Sequence, residues 1–194
     1  MAIDEGAVLT VPNALSALRL AAVPVFVWLV LARHQRFAAA ALLAVLGATD
    51  WVDGWIARHF GQVSTLGKVL DPVADRVLVA TAVVTMAVDG SIPIWLCLVV
   101  GAREALVSGA VVALAALGAP RIDVIWAGKA GTLALMVAFP LFLVAHSTAG
   151  WHSAAHVLAW GFCLPGLVLG WWAALSYAPV ARRALSQARV RSVV

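Results

Sequence analysis

Six apolar runs follow one another along this chain, each closed by a short polar interruption. A helix needs roughly 20 predominantly apolar residues to cross a bilayer, and each run is near that length. The first opens in Leu9–Arg19, where Pro12 suits a first helical position because its missing N–H loses no partner there. It continues to Leu31 and stops at Arg33, His34 and Arg36; Pro24 inside it predicts a kink. The remaining runs predict helices over Ala38–Arg58, Leu66–Val88, Pro93–Leu117, Val124–His146 and Ser153–Tyr177. Asp89-Gly90 closes the third, Gly118-Ala-Pro120-Arg121 is a turn, and Pro140 falls late in the fifth. The pattern predicts an all-α, polytopic membrane protein with six transmembrane helices in a single domain over residues 1–194. Residues 1–10 read as an interfacial segment and 181–194 as a basic tail.

Composition sharpens this picture. The chain is 64% hydrophobic and 11% charged, with mean hydropathy +1.01, values of a membrane protein rather than a soluble core. No basic segment precedes the first run, so it reads as a span and not a cleavable leader. The formal charge of +4 comes from scattered or terminal residues, which argues against a nucleic-acid partner. An even number of spans puts both termini on one side. That side holds Arg121, Arg182, Arg183, Arg189 and Arg191, against Arg33 and Arg36 on the other. The positive-inside rule therefore predicts cytoplasmic termini and a site opening to the cytoplasm. Trp95, Trp126 and Trp151 fall near predicted helix ends, as interfacial anchors do. Cys97 and Cys163 lie in apolar runs and read as inert thiols. His152 and His156 are spaced i,i+4, but no third ligand stands nearby for zinc.

The candidate chemistry is concentrated. Four of nine carboxylates fall between Asp50 and Asp75. A carboxylate at mid-membrane costs roughly 2.5–3.5 kcal/mol on insertion scales, so four demand compensation, which bound cations would supply. Asp50 and Asp53 are i,i+3 and Asp71 and Asp75 are i,i+4, so each pair shares a helix face. A reversal at Gly61–Ser64 would set Asp50 level with Asp75 and Asp53 level with Asp71. Such all-oxygen ligands suit Mg²⁺ or Mn²⁺, and two ions can share them in phosphoryl displacement. Carboxylates within a membrane also mark cation-transport paths. An arginine one turn from the acids, Arg58, has no use in such a path but does in a nucleotide site.

The residues Asp50-x2-Asp53-Gly54-x2-Ala57-Arg58-x8-Gly67-x3-Asp71-x3-Asp75 resemble the signature of the CDP-alcohol phosphatidyltransferases at every fixed position. The resemblance implies transfer of a phosphatidyl group from CDP-diacylglycerol to an alcohol, releasing CMP. It implies two divalent cations held by Asp50, Asp53, Asp71 and Asp75, with Asp75 as general base on the acceptor hydroxyl, and a homodimer in the bacterial cytoplasmic membrane. It further implies CDP contacts from Gly54, Ala57, Arg58 and Gly67, although both glycines also fit close helix packing. Asn13 and Arg19 match an opening found near the pyrophosphate in family members; a helix cap and a snorkelling arginine are the other reading.

Arg103 lies deep in the fourth run, where an arginine without a role is improbable on energetic grounds. Lys129 lies shallower in the fifth. The segments Ala102-Arg103-Glu104 and Gly128-Lys129-x2-Thr132 resemble the branch that makes anionic glycerophospholipids, which implies acceptor binding; a salt bridge for Arg103 and snorkelling for Lys129 are the alternatives. Two acceptors fit, phosphatidylglycerol and glycerol-3-phosphate. The phosphate monoester of glycerol-3-phosphate asks for several cations. Leu106, Val107, Ala110 and Val111 stand where a second arginine would join Arg103. This departure favours phosphatidylglycerol, as does resemblance of the Leu9–Arg19 opening, the Gly128–Pro140 stretch and the Trp171–Arg183 end to the actinobacterial cardiolipin-forming branch.

Overall fold

The computed structural model describes the backbone of residues 11–60, 67–116 and 126–176; the side chains of 11–13, 15, 50–60, 67–72 and 111–116 fall outside the description. Among the described residues there are six α-helices: α1 Val11–Val27, α2 Arg36–Phe60, α3 Gly67–Asp89, α4 Ile94–Ala116, α5 Trp126–Ala145 and α6 His152–Ser176. No strand occurs among the described residues. Where α2, α3, α4 and α6 begin and end within the described chain, the expected boundaries hold to one or two residues. The turn at Gly61–Ser64, the Gly118–Arg121 turn and the arginine tail lie outside the described residues.

One local expectation changes. α1 runs on through Pro24, and the backbone leaves α geometry only at the π-helical turn Trp28–Ala32. There the Arg33 N–H donates to the Trp28 carbonyl at 3.0 Å, one residue wider than α spacing. His34 then takes a φ of 51° and starts the reversal into α2. α3 ends as Asp89-Gly90 predicts. Gly90 adopts φ 80°, the Ser91 N–H donates to the Met86 carbonyl at 2.9 Å, and the Gly90 N–H to Ala87 at 3.3 Å. This pairing satisfies carbonyls that the helix end would otherwise orphan.

Packing follows the helical period. On α1 the buried positions are Ser16, Arg19, Ala22, Phe26 and Val30, a stripe at i,i+3/i+4 spacing. On α3 they are Ala74, Leu78, Ala82 and Met86. The chain divides into two units. In the first, residues 1–93 with 139–159, α1 packs chiefly against α3 and also against α2. In the second, residues 94–138 with 160–194, α4 buries Leu96, Val100 and Arg103, and the neighbouring stretch of α6 buries Cys163, Gly166, Gly170 and Ala173. Trp95 stacks on Trp160 there with ring centroids 5.8 Å apart, a packing contact beyond the anchoring expected of it.

The opposite face of α6 is apolar too. Val157, Leu164, Val168, Trp172 and Leu175 are all more than half exposed. A helix apolar all round is buried or lies in lipid. By length and composition, α5 and α6 are sufficient to cross a membrane.

Candidate active site

The acids stand on two continuous helices. Asp50, Asp53, Gly54, Ala57 and Arg58 belong to α2, and Gly67, Asp71 and Asp75 to α3. The i,i+3 and i,i+4 spacings are therefore true helical spacings in the backbone. The side chains of Asp50, Asp53, Ala57, Arg58, Asp71 and Asn13 lie outside the described residues. Asp75 is described, and it is joined to another site candidate: Arg19 Nη1 donates to Asp75 Oδ1. The two are 56 positions apart in sequence.

The α1 stripe explains the contact. Arg19 follows Ser16 by three and precedes Phe26 by seven, which puts it on the face of α1 that packs into the unit. Its side chain is only 3% exposed. The snorkelling alternative is thereby excluded, since the guanidinium does not reach out of the packed face. Asp75 follows the buried Ala74 on α3 and so sits at the flank of that stripe, its side chain 42% exposed. The pair thus joins a buried cation to a carboxylate with an open side. Removing one member of a buried pair typically costs 3–5 kcal/mol or so, through the charge left behind; the exposure of Asp75 reduces that figure here.

The donor set suits a hard divalent cation. It is carboxylate throughout, it stands at helical spacing, and the carboxylate described, Asp75, is accessible from one side while held from the other. Among the described residues, no group of three or more His, Cys, Asp or Glu side chains comes together.

The second unit holds the two remaining candidates. Arg103 extends the buried stripe of α4, Leu96, Val100, Arg103, and is 8% exposed. Its Nη1 donates to Glu104, the ion pair expected as one alternative, and its Nη2 lies 3.5 Å from Thr132 Oγ1 on α5. Thr132 itself donates to the Gly128 carbonyl at 3.0 Å, so its oxygen presents lone pairs to the guanidinium. Arg103 Nε is buried and has no hydrogen-bond partner. Lys129 is exposed on the first turn of α5. Arg103 also lies along α6 at Gly170, a neighbour that periodicity in α4 alone does not reveal. The available signal was Gly166 and Gly170 at i,i+4 in α6, with Gly131 in α5.

A further polar cluster was missed from the sequence. Arg36 donates through Nε and Nη2 to the two oxygens of Asp89, at 2.8 and 3.1 Å, and through Nη1 to the His146 carbonyl at 3.1 Å. Ser91 Oγ also donates to Asp89. One side chain thus ties the start of α2 to the ends of α3 and α5. Burial pushes the Asp89 carboxyl up, but hydrogen bonds from Arg36 and Ser91, with the charges of Arg36 and His34, outweigh it and hold it below the ordinary carboxylate range.

A helical chain with four carboxylates at these spacings, and with cations buried in both units, has the makings of a transferase acting on phosphorylated lipids. The family model for CDP-alcohol phosphatidyltransferase matches residues 9–172, and the chain belongs to that family. It is an enzyme, a CDP-alcohol phosphatidyltransferase. Among its relatives is a protein of Streptomyces coelicolor named cardiolipin synthase (CMP-forming), 41% identical over 91% of this chain and 84% of its own length. A putative cardiolipin synthase of Mycobacterium tuberculosis is 37% identical over the same shares. A Bacillus subtilis protein named CDP-diacylglycerol–glycerol-3-phosphate 3-phosphatidyltransferase is 33% identical over 55% of this chain and 63% of its own.

Proposed function

We propose that this enzyme transfers the phosphatidyl group of CDP-diacylglycerol to phosphatidylglycerol, giving cardiolipin and CMP. The observation that carries it is the extent of likeness: the cardiolipin synthases match nearly the whole chain, the glycerol-3-phosphate enzyme about half. The apolar surroundings of Arg103 agree. Leu106, Val107 and Ala110 follow it, so a phosphodiester with one charge fits better than a phosphate monoester.

Two divalent cations, Mg²⁺ or Mn²⁺, would be held by Asp50, Asp53, Asp71 and Asp75; bound there, they would polarise the pyrophosphate and neutralise the departing CMP. Asn13, Arg19 and Arg58 bind the CDP moiety. Gly54, Ala57 and Gly67 leave room for the nucleotide. Asp75 takes the proton of the acceptor hydroxyl as its oxygen bonds to the phosphatidyl phosphorus, the bridging P–O bond breaks, and CMP leaves with the electron pair. The Arg19–Asp75 contact supports this role, because a carboxylate held by a buried arginine keeps a fixed orientation toward the hydroxyl. Arg103 and Lys129 hold the acceptor phosphate. The chain crosses the cytoplasmic membrane six times, with termini and site toward the cytoplasm, and works as a homodimer. Six helices, of which α5 and α6 are long and apolar enough to span, support the first statement, the arginine distribution the second, and family resemblance the third.

The test is CMP release by purified full-length protein from labelled CDP-diacylglycerol, with phosphatidylglycerol and glycerol-3-phosphate offered separately. Cardiolipin from the first and little product from the second is expected. Phosphatidylglycerophosphate alone reverses the assignment.

A further inference from the structure

Two histidines that take no part in phosphatidyl transfer, His152 and His156, lie in the opening turn of α6. Both are exposed. The Ala155 N–H donates to the Trp151 carbonyl at 3.0 Å, so helical hydrogen bonding is already in place at Trp151. The i,i+4 spacing therefore sets both side chains on one face, at the flank of the fully buried Ala155 and Ala159. The pair belongs to the first unit, at the end where Arg36 reaches Asp89 and the His146 carbonyl. Asp89 lies ~21 Å along α3 from Asp75, so this end is well apart from the acid cluster.

One ring is already held as a metal ligand's ring is held. His152 Nδ1 lies 3.0 Å from the Ala149 carbonyl oxygen. A carbonyl only accepts, so Nδ1 carries the proton, and the neutral ring keeps the lone pair on Nε2. A metal-ligating histidine characteristically donates its other ring N–H to a carboxylate or a backbone carbonyl, which fixes tautomer and ring orientation. The acceptor is itself fixed. The His152 N–H donates to the same Ala149 carbonyl at 3.1 Å, the Ala149 N–H donates to Ser147 Oγ at 3.2 Å, and Ser147 Oγ donates to the Val144 carbonyl at 2.7 Å. A run of hydrogen bonds from the end of α5 thus orients His152, and His156 stands one turn further on.

We propose that His152 and His156 form a peripheral site for a borderline-soft divalent transition metal, Zn²⁺, Cu²⁺ or Ni²⁺. Two imidazoles without a carboxylate suit these ions, whereas Mg²⁺ and Mn²⁺ favour oxygen ligands. Among the described residues no third His, Cys, Asp or Glu joins the pair. Water therefore completes the coordination shell, and the site is open and exchangeable, unlike the closed four-ligand structural kind. Bound metal bridges the first turn of α6 and secures it to the α5–α6 connection. The Irving–Williams order makes Cu²⁺ the tightest of the three.

The experiment is isothermal titration of Zn²⁺ into full-length, metal-stripped protein in detergent micelles, with excess Mg²⁺ to compete for the carboxylates. Wild type is compared with His152→Asn, His156→Ala and His34→Ala. The amide N–H of asparagine can stand in for Nδ1–H, so His152→Asn keeps the bond to Ala149 and loses the Nε2 ligand. Wild type is expected to take up a single Zn²⁺ per chain. His152→Asn and His156→Ala should each weaken binding at least about tenfold, and His34→Ala, exposed at the reversal into α2, should not. Melting temperature should rise with Zn²⁺ in wild type and His34→Ala, and stay level in the other two. Zn²⁺ uptake that Mg²⁺ abolishes belongs to the acid cluster and overturns the proposal. Undiminished uptake in either His152→Asn or His156→Ala also overturns it. So does equal weakening by His34→Ala, which would make uptake a general property of exposed histidines. Both rings lie outside the core, so a variant that fails to fold contradicts the site as well.

Discussion

At the scale of single residues, Asp75 carries the sharpest expectation. Asn keeps a side-chain oxygen to accept from Arg19, so Asp75→Asn should fold and retain CDP-diacylglycerol binding. It cannot take the acceptor proton, and turnover should fall at least about 10²-fold, the lower range for removing a general base. Binding of labelled CDP-diacylglycerol beside CMP release checks both halves; near-normal turnover would remove Asp75 from the role. Asp71→Asn tests the cations. It should lose activity without unfolding, and excess chelator should silence the wild type; full CMP release in chelator would contradict metal dependence. The aspartate spacing was legible because it is local: a helix converts i,i+3 and i,i+4 into a shared face. The partners of these residues were not. Arg19 and Asp75 lie 56 positions apart, and Arg36 and Asp89 lie 53 apart. Such pairs depend on which helix faces meet, and periodicity within one helix does not specify that.

At the scale of elements, two contacts set where helices can sit. The Arg36–Asp89 pair joins the ends of α2 and α3, with Asp89 1% exposed and Arg36 30% exposed. Arg36→Ala would leave a buried carboxylate with Ser91 as its remaining hydrogen-bond donor among the described residues. Allowing for the partial exposure of Arg36, a loss of about 2–3 kcal/mol is expected, below the range for fully buried pairs. The pH dependence follows from the depressed carboxyl. Its contribution is complete above the ordinary value of 3.8 and is lost as pH falls through the lower folded value. The melting-temperature gap between wild type and Asp89→Asn should therefore close below about pH 4; a constant gap would mean that the pair does not stabilise the fold. A Cβ on Gly131 would fall 2.7 Å from the Gly170 backbone nitrogen and 2.9 Å from the Gly166 carbonyl oxygen, so Gly131→Ala should lower the melting temperature through overpacking worth about 1–3 kcal/mol or more. The helices were legible because each apolar run ends in recognisable punctuation, such as Asp89-Gly90. The π turn at Trp28–Ala32 was not, since Pro24 predicts a disturbance without fixing where the backbone absorbs it.

At the scale of the whole molecule, topology is the open expectation. A fluorescent reporter at either terminus should light in the cytoplasm, and the chain should stay with membranes after an alkaline wash; an external terminus would reverse the sidedness of the site. The two-sided apolarity of α6 has a thermodynamic consequence. Val157, Val168, Trp172 and Leu175 face outward, and in water such a surface self-associates. Acyl chains that cover it bind the folded chain more than the unfolded one, so they act as a ligand of the native state by mass action. Each melting temperature measured for this enzyme then belongs to chain and amphiphile together. It should rise with tail length until the tails match the apolar height of α6.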